Sequence, residues 1–231
     1  LPIFSLSGRW SRTSDAGITR ANAYVIRYGM NLFNDFTYFL NDPVNGDQFR
    51  QRDSRVLGGG EVSHTVQGSL FGLPMENEIG LQTRTDAIRV GLFNTTARQL
   101  RSTVLDDRVL EASAAFYYEN RVRWTDWLRT SVGFRADGFY ADVRSDTPAN
   151  SGTARDGIVN PKLGLVLGPW FDTELFVNYG GGFHSNDARG VTATVDPTSP
   201  LFNISRSPFL VPSTGSEIGL RNRSLSGLET A

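Results

Sequence analysis

The stretch that decides the fold is residues 110–123, which read LEASAAFYYENRVR. Its even positions are small or apolar, and they are Leu110, Ala112, Ala114, Phe116 and Tyr118. Its odd positions are mainly polar or charged, and they include Glu111, Ser113, Glu119, Arg121 and Arg123. Successive side chains of a β-strand point to opposite faces, whereas a helix repeats every ~3.6 residues. The pattern therefore predicts a strand with one apolar and one polar face.

The same alternation recurs along the whole chain. In residues 22–32 the even positions form the apolar and aromatic set, so we expect Tyr24, Ile26 and Tyr28 to face outward and Arg27 to face inward. No segment combines helix caps with a helical period, so no helix is predicted. The predicted strands are roughly 3–12, 18–40, 47–66, 75–93, 104–123, 127–143, 156–167, 172–182 and 211–223, and another begins at Leu228.

One predicted strand changes its apolar parity. In residues 75–93 the apolar positions are first odd, at Ile79 and Leu81, and then even, at Ile88 and Val90. A β-bulge would produce such a change. The alternative is that the strand leaves a membrane around residues 83–86, beyond which the outer face no longer has to be apolar.

The predicted connections alternate between short and long. The short turns lie near residues 14–17, 68–74, 124–127, 168–172 and 224–227, and the longer ones at 41–46, 94–103, 144–155 and 183–210. Aromatic residues concentrate on the short-turn side, namely Trp124, Trp127, Trp170 and Phe171. Long strands, unequal loops and an interfacial aromatic girdle favour a transmembrane β-barrel, although a soluble β-sandwich or barrel would also show alternation.

The composition narrows the functional classes. The chain of 231 residues has a formal net charge of −1, so no overall field attracts nucleic acid. It contains no cysteine, which excludes a disulfide framework and thiolate chemistry. We find no Gly-x-Ser-x-Gly motif and no Walker loop, and the sequence indicates neither an enzyme nor a cofactor.

Three polar or flexible features have a structural as well as a functional interpretation. His64 is expected near a turn at the membrane interface, and Gly58–Gly60 is expected to permit bending or close packing within a strand. Asp42, Asn45 and Asp47 in DPVNGD could bind calcium through oxygen atoms, but the same residues form turns and the spacing is not that of an EF-hand. We predict no metal site.

The segment Asn160–Gly190 contains the most specific motifs: NPKLGLVLGPWFDTELFVNYGGGFHSNDARG. A Pro-Lys-Leu-Gly pattern at residues 161–164 opens one strand, and a short turn follows it. The next strand ends with Tyr179, Gly180, Gly182, Phe183, His184 and Ser185. With the later segment Glu217–Arg221, these residues resemble the late barrel of TonB-dependent receptors.

The resemblance implies an outer-membrane import receptor of a Gram-negative bacterium. In that family a barrel of about 22 strands encloses an N-terminal plug, and TonB supplies energy through a short box before the plug. Residues 1–231 are expected to form part of one barrel, with the plug and the closing strands outside this chain. The expected partners are outer-membrane lipid, the TonB complex and a small-molecule ligand, with ferric siderophores as the default class. A passive porin-type channel without a plug is the alternative function.

The expected ligand site lies on the longest external loop. We predict that His184, Asn186, Asp187 and Arg189 contribute to it, because a loop of this length is uncommon without a function. A second set of charged residues is expected on the inward face, where opposite charges would pair with one another or with a plug. This set comprises Glu111, Glu119, Arg121, Arg129, Arg135, Asp137 and Arg221.

Overall fold

A computed structural model describes residues 3–223, and they form one large antiparallel sheet. Nine strands pair in the order in which they follow one another along the chain. Two short strands of a separate ribbon lie in the chain between the eighth and the last of them. The strands are β1 (Ile3–Ser14), β2 (Gly17–Asn34), β3 (Phe49–Leu70), β4 (Leu73–Thr96), β5 (Gln99–Arg123), β6 (Leu128–Arg144), β7 (Gly152–Trp170), β8 (Thr173–Ser185) and β11 (Leu210–Asn222). The nine strands that the alternation predicts are thus confirmed. The tenth, at Leu228, lies outside the described residues.

The connections alternate as predicted, with one exception, and the turn predicted at 224–227 lies outside the described residues. At one end of the sheet the strands are joined by residues 15–16, 71–72, 124–127 and 171–172, and at the other by 35–48, 97–98, 145–151 and 186–209. The long loop predicted at 94–103 is wrong, because β4 and β5 continue to a two-residue turn. Ala97 and Arg98 form that turn with φ of 49° and 65°, the left-handed geometry of a tight hairpin.

The register aligns the charged positions of neighbouring strands on one face. Gln82 of β4 lies opposite Ala115 of β5, which lies opposite Asp137 of β6. Glu61 of β3 lies opposite Gln82 on the other side. We call this side the inner face, and the charged residues predicted to face inward share it, with the exception of Arg27 on β2.

The opposite side, the outer face, exposes many apolar side chains. Large apolar or aromatic side chains remain accessible on all nine strands, and Val132 is 51% exposed. Phe134 on β6 and Tyr118 on β5 pack against each other there, with ring centroids 6.3 Å apart. The exposed outer-face residues include Phe4, Leu6, Val25, Val56, Val62, Ile79, Leu81, Leu110, Leu163, Ile218 and Leu220.

The parity predicted for β2 is wrong. Tyr24 lies opposite Gly59, which lies opposite Arg84, and Tyr24 lines a cavity with Arg84 and Glu111. The even residues of β2, including Ile26 and Tyr28, therefore face inward, and Val25 and Arg27 face outward. The physical reason is that a tyrosine has a polar hydroxyl and is compatible with a polar interior, while alanine and valine suffice for the outer face.

The parity change in β4 does not come from a bulge. The pairing of β4 with β3 is continuous from Leu73 to Asn94, so residues 83–86 introduce no register shift. Ile88 stays on the inner face and packs against a small apolar core. The apolar residues of β4 therefore change from the outer face, at Ile79, to the inner face, at Ile88. The reason is that a loop covers the inner face beside Ile88 and supplies apolar contacts there.

The covering loop, residues 186–209, contains secondary structure that the sequence did not predict. It holds α1 (Ala188–Thr192) and a two-stranded ribbon of β9 (Val195–Asp196) and β10 (Ser199–Asn203). The absence of helix is thus a wrong prediction, because a single turn is too short to show a helical period. None of the helices in residues 3–223 is long and apolar enough to span a membrane.

The aromatic residues at the short-turn end lie together. Trp127 and Trp170 stack with centroids 6.1 Å apart and remain about half exposed. The Trp124 indole N–H donates to the Thr130 hydroxyl at 2.8 Å. Phe171, at the tip of its turn, is 96% exposed. This arrangement is what an interfacial girdle requires, since the rings meet solvent or lipid headgroups at one level.

Candidate functional site

The site forms where the loop 186–209 folds onto the inner face, near the end of the sheet that carries the long connections. Val109 of β5 and Val143 of β6 form a buried cluster with Ala188, Val191 and Phe209 of the loop. Burial of these apolar groups holds the loop against the wall. The loop is therefore part of the inner surface and does not extend freely from the sheet.

Asn150 fastens the same loop from the neighbouring connection. Its side-chain oxygen accepts the backbone N–H groups of Thr194 and Val195 at 2.9 and 3.0 Å, and its amide donates to the Val195 carbonyl at 2.9 Å. The Asn150 carbonyl accepts the Thr192 hydroxyl at 2.9 Å. Asn150 is buried, so these bonds satisfy groups that water does not reach.

Three of the four predicted site residues come together at the start of the loop. The Asp187 carboxylate caps α1 by accepting the Arg189 N–H at 2.9 Å, and it forms an ion pair with the Arg189 guanidinium at 2.6 Å. The Asn186 amide donates to the Pro208 carbonyl at 2.7 Å, which closes the base of the loop. Asn186, Asp187 and Arg189 all line cavities on the inner face.

The fourth predicted residue, His184, lies apart from these cavities. It is exposed near the end of β8, opposite Val211, and lines neither of the two cavities that adjoin the loop.

Two cavities meet beneath the loop. The first, of about 400 Å³, is lined by polar groups of the wall and by the rings of Tyr24, Phe139 and Phe209. The second, of about 240 Å³, lies closer to α1. Both cavities are lined by Glu111, Ser185 and Asn186, so these residues lie at the boundary between the two. Together they have the size of a small-molecule site, about 300–1,000 Å³.

The arginines that line these cavities each bind a carboxylate two residues away. Arg84 binds Asp86 at 2.7 Å, Arg135 binds Asp137 at 2.9 Å, and Arg55 binds Asp53. Positions i and i+2 of a strand share a face, so each pair is built within its own strand. The pairing of opposite charges that was predicted is the pairing across adjacent strands, and it is seen for Arg121 with Glu76 at 2.6 Å.

An aromatic ring lies over a glycine at the wall of the first cavity. A Cβ atom on Gly59 would come within 2.5 Å of the Thr83 carbonyl oxygen and 2.7 Å of the Tyr24 hydroxyl. The Gly58–Gly60 run is thus used for close packing, one of the two roles predicted for it. His64 lies at the short-turn end as expected, with its Nε2 3.2 Å from the Ala16 carbonyl.

The acidic loop DPVNGD uses its carboxylates as turn acceptors. Asp42 accepts the N–H groups of Val44 and Asn45 at 3.1 and 2.9 Å, and Arg101 donates to it at 2.9 Å. The bond from the Asn45 N–H and the Arg101 guanidinium lower the pKa of Asp42 to about 2. Asp47 accepts the N–H groups of Asn41 and Asp42. This geometry matches the turn interpretation of the motif.

The sequence did not single out several residues that build the site. Arg84, Asp86 and Phe209 line the first cavity, and Asn150 holds the loop above it. A repeated spacing of Arg and Asp two residues apart, at 84–86 and 135–137, was a visible signal of paired charges. Asn150 had no such signal, because its bonds join residues more than 40 positions away.

The topology and the two faces together define the class of protein. An up-and-down antiparallel sheet with an apolar outer face, a polar inner face and unequal loops is part of the wall of a transmembrane β-barrel. In residues 3–223 this wall is open, because β1 and β11 do not pair with each other. The chain belongs to the TonB-dependent receptor-like β-barrel family, whose profile matches residues 3–229. The resemblance seen in the sequence is thereby confirmed.

Solved structures of low identity have the same fold. The copper transporter OprC is 13% identical with a TM-score of 0.71, and the match covers 96% of this chain and 36% of that one. The siderophore receptor PiuA from Acinetobacter baumannii is 11% identical with a TM-score of 0.71, covering 97% and 38%. The ferric yersiniabactin uptake receptor FyuA from Yersinia pestis is 12% identical with a TM-score of 0.60, covering 96% and 33%.

The chain spans about two-fifths or less of the length of these proteins. At this identity the matches show the fold alone. The family that the chain belongs to is one of receptors, which supports a function other than catalysis. No curated protein sequence matches the chain significantly.

Proposed function

We propose that this chain is part of an outer-membrane receptor of a Gram-negative bacterium that imports a scarce nutrient with energy from TonB. The observation that carries the proposal is the loop 186–209, which is fastened over the inner face and encloses polar cavities there. A passive pore needs an open lumen, whereas a receptor needs a site that holds its ligand. Membership of the TonB-dependent receptor-like family supports the same function.

The ligand class follows by analogy with the structural matches. PiuA is described as a siderophore receptor, FyuA as a ferric yersiniabactin uptake receptor and OprC as a copper transporter. A ferric siderophore or a similar chelate is therefore the first class to test. Outer-membrane lipid would contact the apolar outer face, and a plug and a TonB box would lie outside this chain.

Measurements of ligand uptake with and without an energy supply distinguish an energised receptor from a passive pore. In the protein that carries this chain, ligand uptake is expected to stop when a protonophore removes the inner-membrane energy supply, while surface binding remains. Liposomes that contain the protein are expected not to swell in small sugars, because a plug blocks free diffusion. Rapid swelling, or uptake that ignores the protonophore, would favour the porin instead.

The proposed binding site is tested by shortening the loop. Replacement of residues 188–207 by a short linker removes α1 and the β9–β10 ribbon and should weaken ligand binding. Barrel insertion should persist, because this loop adds little to strand pairing. Shortening the loop 35–48 on the same end of the sheet provides a control of similar type. Unchanged binding after the first deletion would show that the ligand site lies elsewhere.

A further inference from the structure

Around the cavities beneath the loop there is one more carboxylate than there are arginines, when Asp137, which binds Arg135 but does not itself line a cavity, is counted. Four arginines line them, Arg55, Arg84, Arg135 and Arg189, and each is bonded to an aspartate two positions away. A fifth carboxylate, Glu111, lines both cavities. Within residues 3–223, no arginine or lysine nitrogen lies within 4.0 Å of it. One negative charge therefore remains, and it belongs to Glu111.

The groups around Glu111 do not neutralise its charge. It lies directly opposite Asp86 across the β4–β5 pair, and like charges so placed repel each other. Arg84 binds both oxygens of Asp86, at 2.7 and 2.9 Å, so this carboxylate is satisfied without Glu111. Among the described residues, no side chain donates a hydrogen bond to Glu111 or forms an ion pair with it. Its remaining capacity is available to a positively charged group.

A second carboxylate without an ion pair lies on the same strand, outside the lining of the two cavities. Asp107 lies on the same face of β5, four residues from Glu111, and is only 6% exposed. Its Oδ1 atom has no hydrogen-bond partner among the described residues. Nor does any described arginine or lysine form an ion pair with it within 4.0 Å. An opposite charge within about 4–6 Å favours the ionised form of such a buried carboxyl group, whereas burial alone favours the neutral form.

The aromatic lining specifies what kind of cation fits. Phe139 and Phe209 meet edge to face with centroids 5.9 Å apart, and Tyr24 lines the same cavity. Aromatic faces beside a carboxylate attract ammonium and guanidinium groups. In the described part of the chain, no three histidine, aspartate or glutamate side chains are placed to hold a metal ion. The lining thus suits an organic cation better than a bare metal ion.

We propose that these two cavities bind their ligand through a protonated amine or guanidinium group, with Glu111 as its counter-ion. The inference rests on the proposed receptor function and names a chemical feature of its ligand. A cationic group at Glu111 would also meet the end of β8 and the start of the loop, since Ser185 and Asn186 line both cavities. An anionic chelate would instead be repelled by Glu111.

The absence of native cysteine allows a direct test in the protein that carries this chain. Ser113 lines the first cavity two residues from Glu111, so Ser113→Cys places a thiol beside the carboxylate. The rates of reaction with a trimethylammonium-ethyl and a sulfonato-ethyl thiosulfonate are compared, and each is divided by its rate with a free thiol. The cationic reagent should react about threefold to tenfold faster, the effect of one carboxylate a few ångströms away in a partly hydrated site.

Two variants and two small probes complete the experiment. Glu111→Gln should abolish the preference, whereas Glu217→Gln, at a carboxylate on β11 that binds Asn178, should preserve it. Butylammonium should slow the labelling of Ser113→Cys, and butyrate should not. A preference that is absent, or that survives Glu111→Gln, would overturn the proposal. Failure of both reagents to react would do the same, because the site must admit a ligand.

The outcome is independent of the test of transport. A cationic preference together with uptake that ignores the protonophore would leave the cation site standing and remove the receptor function. Energised uptake without the preference would leave the receptor standing and remove the cation site.

Discussion

At the residue scale, the sheet repeatedly pairs a glycine on one strand with an aromatic residue on the next. Tyr24 lies opposite Gly59, Tyr117 opposite Gly80, and Phe176 opposite Gly219, and all three pairs are on the inner face. In each pair a Cβ atom on the glycine would overlap the ring. The ring therefore occupies the space that a second side chain would fill, and it shields the glycine backbone.

The first prediction concerns Gly80. Gly80→Ala should displace the Tyr117 ring and weaken its 2.6 Å bond to Glu61, with a loss of about 1–3 kcal/mol in free energy of unfolding. The midpoint of urea unfolding of the folded protein in lipid or detergent measures this loss. Gly138→Ala is the control, since its Cβ would meet nothing closer than 3.9 Å. Equal midpoints for the two variants would contradict the prediction.

The second prediction concerns Asp42 and pH. Its pKa is lowered to about 2 by the Asn45 N–H and by Arg101, so the folded loop favours the ionised form. The stabilisation is present above the ordinary value of 3.8 and disappears as the pH falls through about 2. A fluorophore on Val44→Cys should keep a constant anisotropy from pH 7 to pH 4 and lose anisotropy near pH 2.

The control for the second prediction removes the carboxylate. With Asp42→Ala in the same background, anisotropy should be low at every pH, because the turn acceptor is missing. A wild-type loop that loosens already near pH 4 would show that the hydrogen bonds do not lower the pKa of Asp42.

At the scale of elements, the loop 186–209 depends on a single side chain of another connection. Asn150 makes three side-chain bonds to the loop backbone from a buried position. The apolar cluster around Phe209 holds one end of the loop and Asn150 holds the middle. Loss of either contact should release part of the loop while the strands stay paired.

The third prediction follows from this arrangement. Asn150→Ala leaves buried backbone groups of Thr194 and Val195 unpaired, which should cost about 1–3 kcal/mol of local stability. Trypsin should then cleave after Arg189, which is partly buried in the intact loop. Asn178→Ala, which loses one exposed bond to Glu217, is the matched control. Resistance of the Asn150→Ala loop to trypsin would show that the apolar cluster alone is sufficient.

At the scale of the whole molecule, the two faces differ in what they must contact. The outer face presents apolar side chains on adjacent strands, and the inner face presents paired charges. Charges on a lipid face are costly near the centre of a bilayer, by roughly 2–4 kcal/mol for arginine. The side chains that face lipid must therefore be apolar on every strand of the wall. A test of which residues of a strand face outward is thus a test of the orientation of the whole sheet.

The fourth prediction tests the parity of β2 against that of β6. Single cysteines at Val25 and Phe134 should react with a lipid-soluble maleimide, and cysteines at Tyr24 and Arg135 should react with a water-soluble reagent that enters the barrel. The reason is that Tyr24 shares its face with Arg84 and Glu111. Lipid-phase labelling at Tyr24 would restore the parity that the sequence alone suggested.

The sequence by itself determined the strands and the alternation of the connections. Both depend on local chemistry: a period of two, turn residues between strands, and aromatic residues at one end. It also determined which charged residues share a face on β5 and β6, because polar and apolar positions there are clearly divided, as at Glu119 and Tyr118. The motifs in residues 160–190 were sufficient to indicate the family.

Only the tertiary structure decided the parity of β2, the fold of the loop and the composition of the site. Tyr24 faces inward because Gly59, 35 positions away, leaves room for its ring, and β2 alone does not reveal this. Asn150 and Glu111 acquired their roles from partners on other strands and loops. These contacts depend on register and on burial, which are fixed only when distant segments pair.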